Sequence, residues 1–361
     1  MKICFLSDAN SIHTKKLCAF FKDRGHEVYV ISLNEGVIPN VKVYSFDVSL
    51  DKIRNKNNLK KLEYLTYRKK VKKLIREINP DIVHAHYATS YGFLGALSNF
   101  HPYVLSVWGS DVFDFPRKTI INKILLKYNL SKADRILSTS SVMAQETSLY
   151  TDKSIYVTPF GVDIDIFKPE KEDQKYNRDE LVIGTIKALE PKYGIEYLIR
   201  AFAKVAEKNS KVRLEIAGKG SQKEYLVNLC KELKIEHKVK FLGFLNRDEV
   251  VKTFNNFDIA VFPSTLDSES FGVAAVEAQS CGIPVIVSNV GGLPEATCPN
   301  ISSLLVEKED IDDLKVALEK LVNDKELRIT MGTAGREFVK ANYNIENNFN
   351  EINKIYNDLL S

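Results

Sequence analysis

Short apolar runs alternate with longer amphipathic stretches along the chain. In the first half the runs are Ile3–Leu6, Val28–Leu33, Val41–Phe46, Ile82–Val83, Val104–Val107, Ile136–Leu137 and Ile155–Val157. In the second half they are Leu181–Ile186, Val212–Ala217, Val239–Leu242, Ile259–Phe262, Pro284–Val287 and Leu304–Val306. Most are β-branched or aromatic, and many end in Gly, Ser, Asn or Pro. Stretches with helical periodicity separate most of them. The pattern predicts βαβ units and doubly wound parallel sheets. The two groups of runs flank Thr158–Asp163, so the expectation is two Rossmann-like α/β domains, 1–160 and 170–335. An amphipathic helical stretch, 336–361, either crosses back to the first domain or caps the chain.

Composition supports two folded domains. At roughly 100–200 residues per domain, 361 residues exceed one ordinary core. Hydrophobic residues are 44% and charged residues 27%, which excludes disorder and coiled-coil readings. No apolar run approaches the roughly 18–20 residues of a membrane span. Met1–Asp8 turns polar after six residues and reads as a first strand rather than a signal peptide. The five cysteines are scattered without a Cys-x-x-Cys pair, as expected of a reduced cytoplasmic protein without a zinc site.

Charge is uneven. Residues 1–165 hold 24 Lys+Arg and 16 Asp+Glu; the remainder holds 27 and 31. The excess is local, because Lys52–Arg76 carries eleven bases and one acid, Glu63. Within and just after it, Tyr64, Tyr67, Val71, Leu74 and Ile78 recur at spacings of three and four. That predicts an amphipathic helix with a basic face. The face is either simply solvated or drawn to an anionic membrane or a lipid-diphosphate acceptor. Nucleic acid is disfavoured, because aromatic interleaving is thin and the chain's net charge is only +4.

The richest chemistry follows Ile259–Phe262. Open α/β sheets bind ligands at the carboxyl ends of their strands. There the chain reads Ser268-Glu269-Ser270-Phe271-Gly272-Val273-Ala274-Ala275-Val276-Glu277. Ser270 is the expected N-cap. The amides of Phe271, Gly272 and Val273 would be open first-turn donors, suited to a diphosphate. Glu277 could accept from both hydroxyls of a ribose, and Glu269 from hydroxyls of a sugar. Either glutamate alone is better explained by helix capping.

The combined pattern resembles glycosyltransferase family 4. Glu269-Ser270-Phe271-Gly272-Val273-x3-Glu277-Ala278 is followed by Cys281-Gly282-Ile283-Pro284-Val285-Ile286 and Gly291-Gly292-Leu293-Pro294-Glu295. Gly25-His26-Glu27-Val28, Asn79–His86, Pro159–Asp163, Gly184–Gly194 and Ala217–Gly220 also match. The resemblance implies the GT-B fold, two Rossmann-like domains facing across a cleft. It implies a retaining transferase that moves a sugar from a nucleotide-sugar donor, expected to be a UDP-sugar, without a metal or other cofactor. Expected acceptors are a saccharide or a lipid-linked saccharide of a cell-surface glycan. By the same resemblance Glu277 holds the ribose and Glu269 the donor sugar or its phosphate. Lys187 and Lys192 neutralise the diphosphate. Gly218 and Gly220 shape the floor near the nucleotide, and Phe244 flanks the base or belongs to the core. Lys187 stands where many relatives carry Arg, so it keeps the charge without the bidentate fork.

The first domain departs from the family pattern. Many relatives have His-Gly-x-Asp after the fifth strand, whereas this chain has Trp108-Gly109-Ser110-Asp111. Asp111 matches the aspartate and is expected to orient donor or acceptor hydroxyls. Trp108 either stacks on a sugar or fills a wall. His86 ends a strand and is either a catalytic candidate or a structural hydrogen-bonder. Tyr87 and Tyr91 suggest an acceptor-side surface beside it. Asn10, Ser11 and His13, after the first strand, are further acceptor-side candidates, with capping by Ser11 or Thr14 as the competing explanation. Asp163-Ile164-Asp165 spells a metal–sugar motif, but its linker position argues against that role. Other readings are a sugar-nucleotide epimerase, a phosphorylase or a non-catalytic binding protein. A dehydrogenase is disfavoured, since no Gly-x-Gly-x-x-Gly follows the first strand.

Overall fold

The computed structural model describes residues 1–46, 65–170 and 179–361. The chain divides into two compact units, Met1–Phe160 with Glu346–Ser361, and Gly161–Ile345.

Among the described residues, the first unit is built on seven parallel strands: β1 Lys2–Leu6, β2 Glu27–Ser32, β3 Lys42–Ser45, β4 Ile82–His86, β5 Tyr103–Val107, β6 Arg135–Ser138 and β7 Ile155–Val157. Their order is β3-β2-β1-β4-β5-β6-β7. The chain winds outward from β1 to β3, then returns to place β4 on the other side of β1. The gap between β1 and β4 is therefore the topological switch point. Alternation along each strand feeds two layers. Cys4 and Leu6 pack under the helices Arg68–Ile78, Ser90–Ser98 and Ile120–Lys132. Phe5, out of phase with them, meets Phe21 of the helix Ile12–Asp23 on the opposite face. That second layer also holds the chain's distal segment: Tyr356 stacks on Phe21, and Phe349 meets Phe20 edge-on. The boundary falls at Ile345/Glu346, so the stretch expected as one terminal element, 336–361, is divided between the units.

The basic stretch is helical over Arg68–Ile78, with Val71, Ile75 and Ile78 buried. Asn79 ends it in the left-handed conformation before Pro80, which cannot continue a helix. The portion from Lys52 to Tyr64 lies outside the described residues.

The second unit repeats the same winding with six described strands: β8 Leu181–Ile186, β9 Val212–Ala217, β10 Val239–Gly243, β11 Ile259–Phe262, β12 Val285–Ser288 and β13 Ser303–Val306. Their order, β10-β9-β8-β11-β12-β13, puts the switch point between β8 and β11. Arg336 ties the entry segment down, its guanidinium donating to the carbonyls of Phe167, Ser280 and Ile164. Asp163 is occupied there as well. It accepts from the amides of Asp165 and Ile166 and pairs with Arg247 at 3.1 Å. All thirteen strands expected from the apolar runs are present.

Candidate active site

In the second unit, Lys187 leaves β8 and Glu269 lies in the loop after β11, on either side of the switch point. Their side chains meet: Lys187 Nζ is 2.9 Å from Glu269 Oε1, with the two side chains 14% and 11% exposed. The buried Ser264 hydroxyl donates to the other carboxylate oxygen at 3.3 Å. Lys192 comes from the turn beyond β8. Both lysine ammonium groups lie over the Tyr193 ring, at 4.7 and 4.8 Å. The positions singled out as Lys187, Lys192 and Glu269 thus converge, and Tyr193 and Ser264 join them. Both additions have a signal in sequence. Ser264 follows a strand at the switch point, and Tyr193 lies between Lys192 and Gly194.

Glycines let these loops approach one another. A Cβ on Gly194, at φ +63°, would lie 1.9 Å from the Pro263 carbonyl oxygen. The Thr265 amide donates to the Lys192 carbonyl at 2.9 Å, pinning the lysine turn to the β11 loop. A Cβ on Gly218 would lie 1.9 Å from the Lys187 carbonyl oxygen, and one on Gly220 would lie 2.3 Å from that of Leu189. Both glycines are therefore required by the backbone that carries Lys187. The expected nucleotide floor is not needed to explain them.

The helix after β11 starts later than expected. It runs Val273–Ser280, and its N-cap is Gly272 at φ +83°, not Ser270. The left-handed turn at Gly272 is the reason, since only glycine adopts it freely. Among the described residues, the amides of Gly272, Val273 and Ala274 donate to no protein acceptor. The open donors are thus shifted toward the helix by one residue relative to Phe271–Val273. They form a positively polarised helix start just after Glu269 in sequence. Phe271 turns its ring into the core against Tyr343, so only its backbone faces outward chemistry. Glu277 is half-buried one turn into the helix, four residues after Val273. Phe244 is 69% exposed with Lys219 Nζ over its ring, which removes the core reading.

The first unit has its own polar pair at the corresponding place. Ser7 follows β1 and His86 ends β4, and Ser7 Oγ lies 2.9 Å from His86 Nδ1. Ser7 also bonds Thr14 Oγ1 at 2.7 Å. His86 is 2% exposed and stacks beneath Trp108, ring centroids 4.6 Å apart. Burial, with His84 and His13 nearby, holds its pKa well below the usual imidazole range, so it is neutral. His86 is thus a buried neutral group that supports Trp108 and lines the cavity beside it. His13 stacks on Phe160 at 3.7 Å and meets Trp108 edge-on. Burial first, then the Lys16 charge, lower its pKa to about 4. His13, Trp108 and Phe160 line a small cavity that opens above His86.

The other first-unit candidates are held by local contacts. Asp111 is fully buried and accepts from the amides of Ala88, Trp108 and Gly109 at 2.7–3.1 Å. Its carboxylate shapes the turn carrying Trp108. Tyr91 is buried, its hydroxyl accepting from the Leu33 amide. Ser11 caps the helix Ile12–Asp23 by accepting from the Thr14 amide. Asn10 bridges loops, donating to the Glu35 carbonyl. Tyr87 sits at φ +76° with its hydroxyl 2.5 Å from Ser110 Oγ. Among the described residues, no His, Cys, Asp and Glu side chains cluster in a metal-binding group.

Comparison with known proteins decides the family. Residues 167–338 match the family of glycosyl transferases group 1, and residues 2–140 match the glycosyl transferase 4-like family. An uncharacterized glycosyltransferase of Methanocaldococcus jannaschii is 30% identical over 355 residues, covering 97% of this chain and 94% of that one. The chain belongs to glycosyltransferase family 4. As a glycosyltransferase it is an enzyme, and its fold is GT-B. Sucrose-phosphate synthase from Thermosynechococcus elongatus aligns with TM-score 0.84 at 20% identity, with 99% of each chain covered. Anabaena HepE in complex with UDP aligns with TM-score 0.82 at 20% identity, covering 99% of this glycosyltransferase and 100% of that chain.

Proposed function

We propose that this glycosyltransferase moves a sugar from a UDP-sugar to a saccharide or lipid-linked acceptor, with retention, in the making of a cell-surface glycan. The observation that carries the reading is the Lys187–Glu269 pair at the second unit's switch point, with Lys192 beside it. Without donor, Glu269 balances Lys187. A diphosphate competes for the ammonium and frees the carboxylate to accept from sugar hydroxyls. Lys187, Lys192 and the open amides of Gly272, Val273 and Ala274 stabilise the charge that gathers on the departing diphosphate. Glu277 holds the ribose hydroxyls. The bond from the anomeric carbon to the phosphate oxygen breaks, the bond to the acceptor oxygen forms on the same face, and the acceptor proton passes to the leaving phosphate. No protein nucleophile is assigned. Trp108 and His13 present the acceptor side. The choice of UDP is supported by the UDP complex of a protein with the same fold. The basic helix Arg68–Ile78 holds the enzyme peripherally at an anionic membrane, on its cytoplasmic face.

A panel of UDP- and GDP-sugars in a thermal-shift assay, followed by transfer to free and lipid-linked saccharides, tests this reading. A UDP-sugar should raise Tm and donate to an acceptor. Stabilisation by no nucleotide sugar, or donor turnover that ignores every acceptor, would overturn it.

A further inference from the structure

The first unit carries an apolar stripe that its core does not use. In the helix Ile120–Lys132, Leu126, Asn129 and Leu130 are buried against the sheet. Ile120, Ile121 and Ile124 point outward and are 69%, 72% and 60% exposed. Tyr128 continues the line at 37%. At about 100° per residue these four side chains occupy one arc of about 100°. Lys123 and Lys127 border the arc on one side and Lys132 on the other. From Phe115 to Ala133 the chain has no acid. Isolated exposed leucines or isoleucines are ordinary, but three on one turn ringed by lysines are not.

The neighbours extend the pattern. Helices Arg68–Ile78, Ser90–Ser98 and Ile120–Lys132 lie side by side on one face of the sheet. The first contributes exposed Arg68, Lys69, Lys70, Lys73 and Arg76 against one acid, Glu77. The face thus combines a protruding apolar ridge with a broad basic field.

We infer that this face is a membrane-docking surface, in which Ile120, Ile121 and Ile124 enter the acyl boundary of an anionic leaflet and the surrounding lysines meet its headgroups. Charge complementarity selects this occupant. A second copy docking through the same patch would set Lys123 and Lys127 against their own counterparts. An anionic polymer would satisfy the lysines but leave the isoleucines in water. An interfacial helix wants both halves of the pattern, an apolar side and a basic rim. The inference rests on the peripheral-membrane part of the proposed function and adds the inserting element, on a helix distinct from Arg68–Ile78.

The test is flotation of the full chain with phosphatidylcholine vesicles, with and without phosphatidylglycerol. The wild-type protein should float with the anionic vesicles only. The triple variant Ile120→Ser, Ile121→Ser, Ile124→Ser should bind them about tenfold more weakly or worse, because the apolar contribution is removed. Those positions are exposed, so its Tm and its donor affinity should stay at the wild-type values. Wild-type protein that ignores anionic vesicles would overturn the inference. So would a triple variant that binds as tightly as wild type, or a dimer in light scattering that the three substitutions dissociate. Donor binding measured on the same samples keeps these outcomes separate from failure of the catalytic reading.

Discussion

Lys187 Nζ and Glu269 Oε1 stand 2.9 Å apart across the strand-order reversal of the second unit, and each side chain is nearly closed off from water. In the proposed reaction this pair would hold Lys187 until a diphosphate competes for its ammonium.

Lys187→Met should lower kcat about 100-fold, the scale expected when one group stabilising a leaving anion is lost. Lys187→Arg should restore most of that rate, since it returns the charge. The lone Glu269 carboxylate left by Lys187→Met should also cost about 1–3 kcal/mol of stability, less than a deeply buried pair because solvent still reaches the site. Steady-state kinetics and urea midpoints check the two effects.

Glu277→Ala should weaken UDP-sugar affinity about tenfold or more, the loss of charged hydrogen bonds to two hydroxyls. Its Tm should barely move, because the side chain is half-buried on the helix rather than in the core. Calorimetry showing unchanged affinity would remove Glu277 from the donor site.

Gly194→Ala should destabilise the protein by roughly 2 kcal/mol or more, through positive φ and a collision with the Pro263 carbonyl. The same change should weaken donor binding by displacing the turn that carries Lys192. A stable variant with intact affinity would show that the turn is adaptable.

Acid should weaken the first unit through its buried histidines. His84 is fully buried, with Nδ1 2.5 Å from the Tyr356 hydroxyl and Nε2 2.7 Å from Ser106 Oγ. Burial pushes its pKa down to about 3. The unfolded chain therefore takes up this proton first as pH falls. Stability is full above an unfolded pKa of about 6.5 and declines below it, toward the folded value, by up to roughly 1.4 kcal/mol per pH unit for each such histidine. Urea midpoints should fall between about pH 7 and about pH 5, and His84→Gln should flatten the slope.

The strands were legible because parallel sheets bury both faces, so each strand is an unbroken apolar run between turn residues. The convergence of Lys187, Lys192 and Glu269 was legible through the family resemblance, which put all three at one diphosphate. The start of the Val273–Ser280 helix was not, because serine is a good cap and nothing local says that Gly272 will take a left-handed turn first. Asp111 looked chemical because it matches the aspartate of the family's His-Gly-x-Asp pattern. Only three dimensions show the Ala88, Trp108 and Gly109 amides closing around it. His86 and Trp108 are 22 positions apart in sequence, and local pattern cannot reveal that their rings stack. The exposure of Ile120, Ile121 and Ile124 is not legible in sequence, because periodicity gives an apolar side but not what covers it.

The first unit is discontinuous. The segment that fills its second layer, Glu346–Ser361, is translated only after the whole of Gly161–Ile345. On the ribosome the seven-stranded sheet must therefore wait, with Phe20, Phe21 and the His84 imidazole lacking Phe349 and Tyr356, while the second unit is made. The nascent first half keeps that apolar layer uncovered until Phe349 and Tyr356 emerge, and the second unit is free to fold before the half that precedes it is finished.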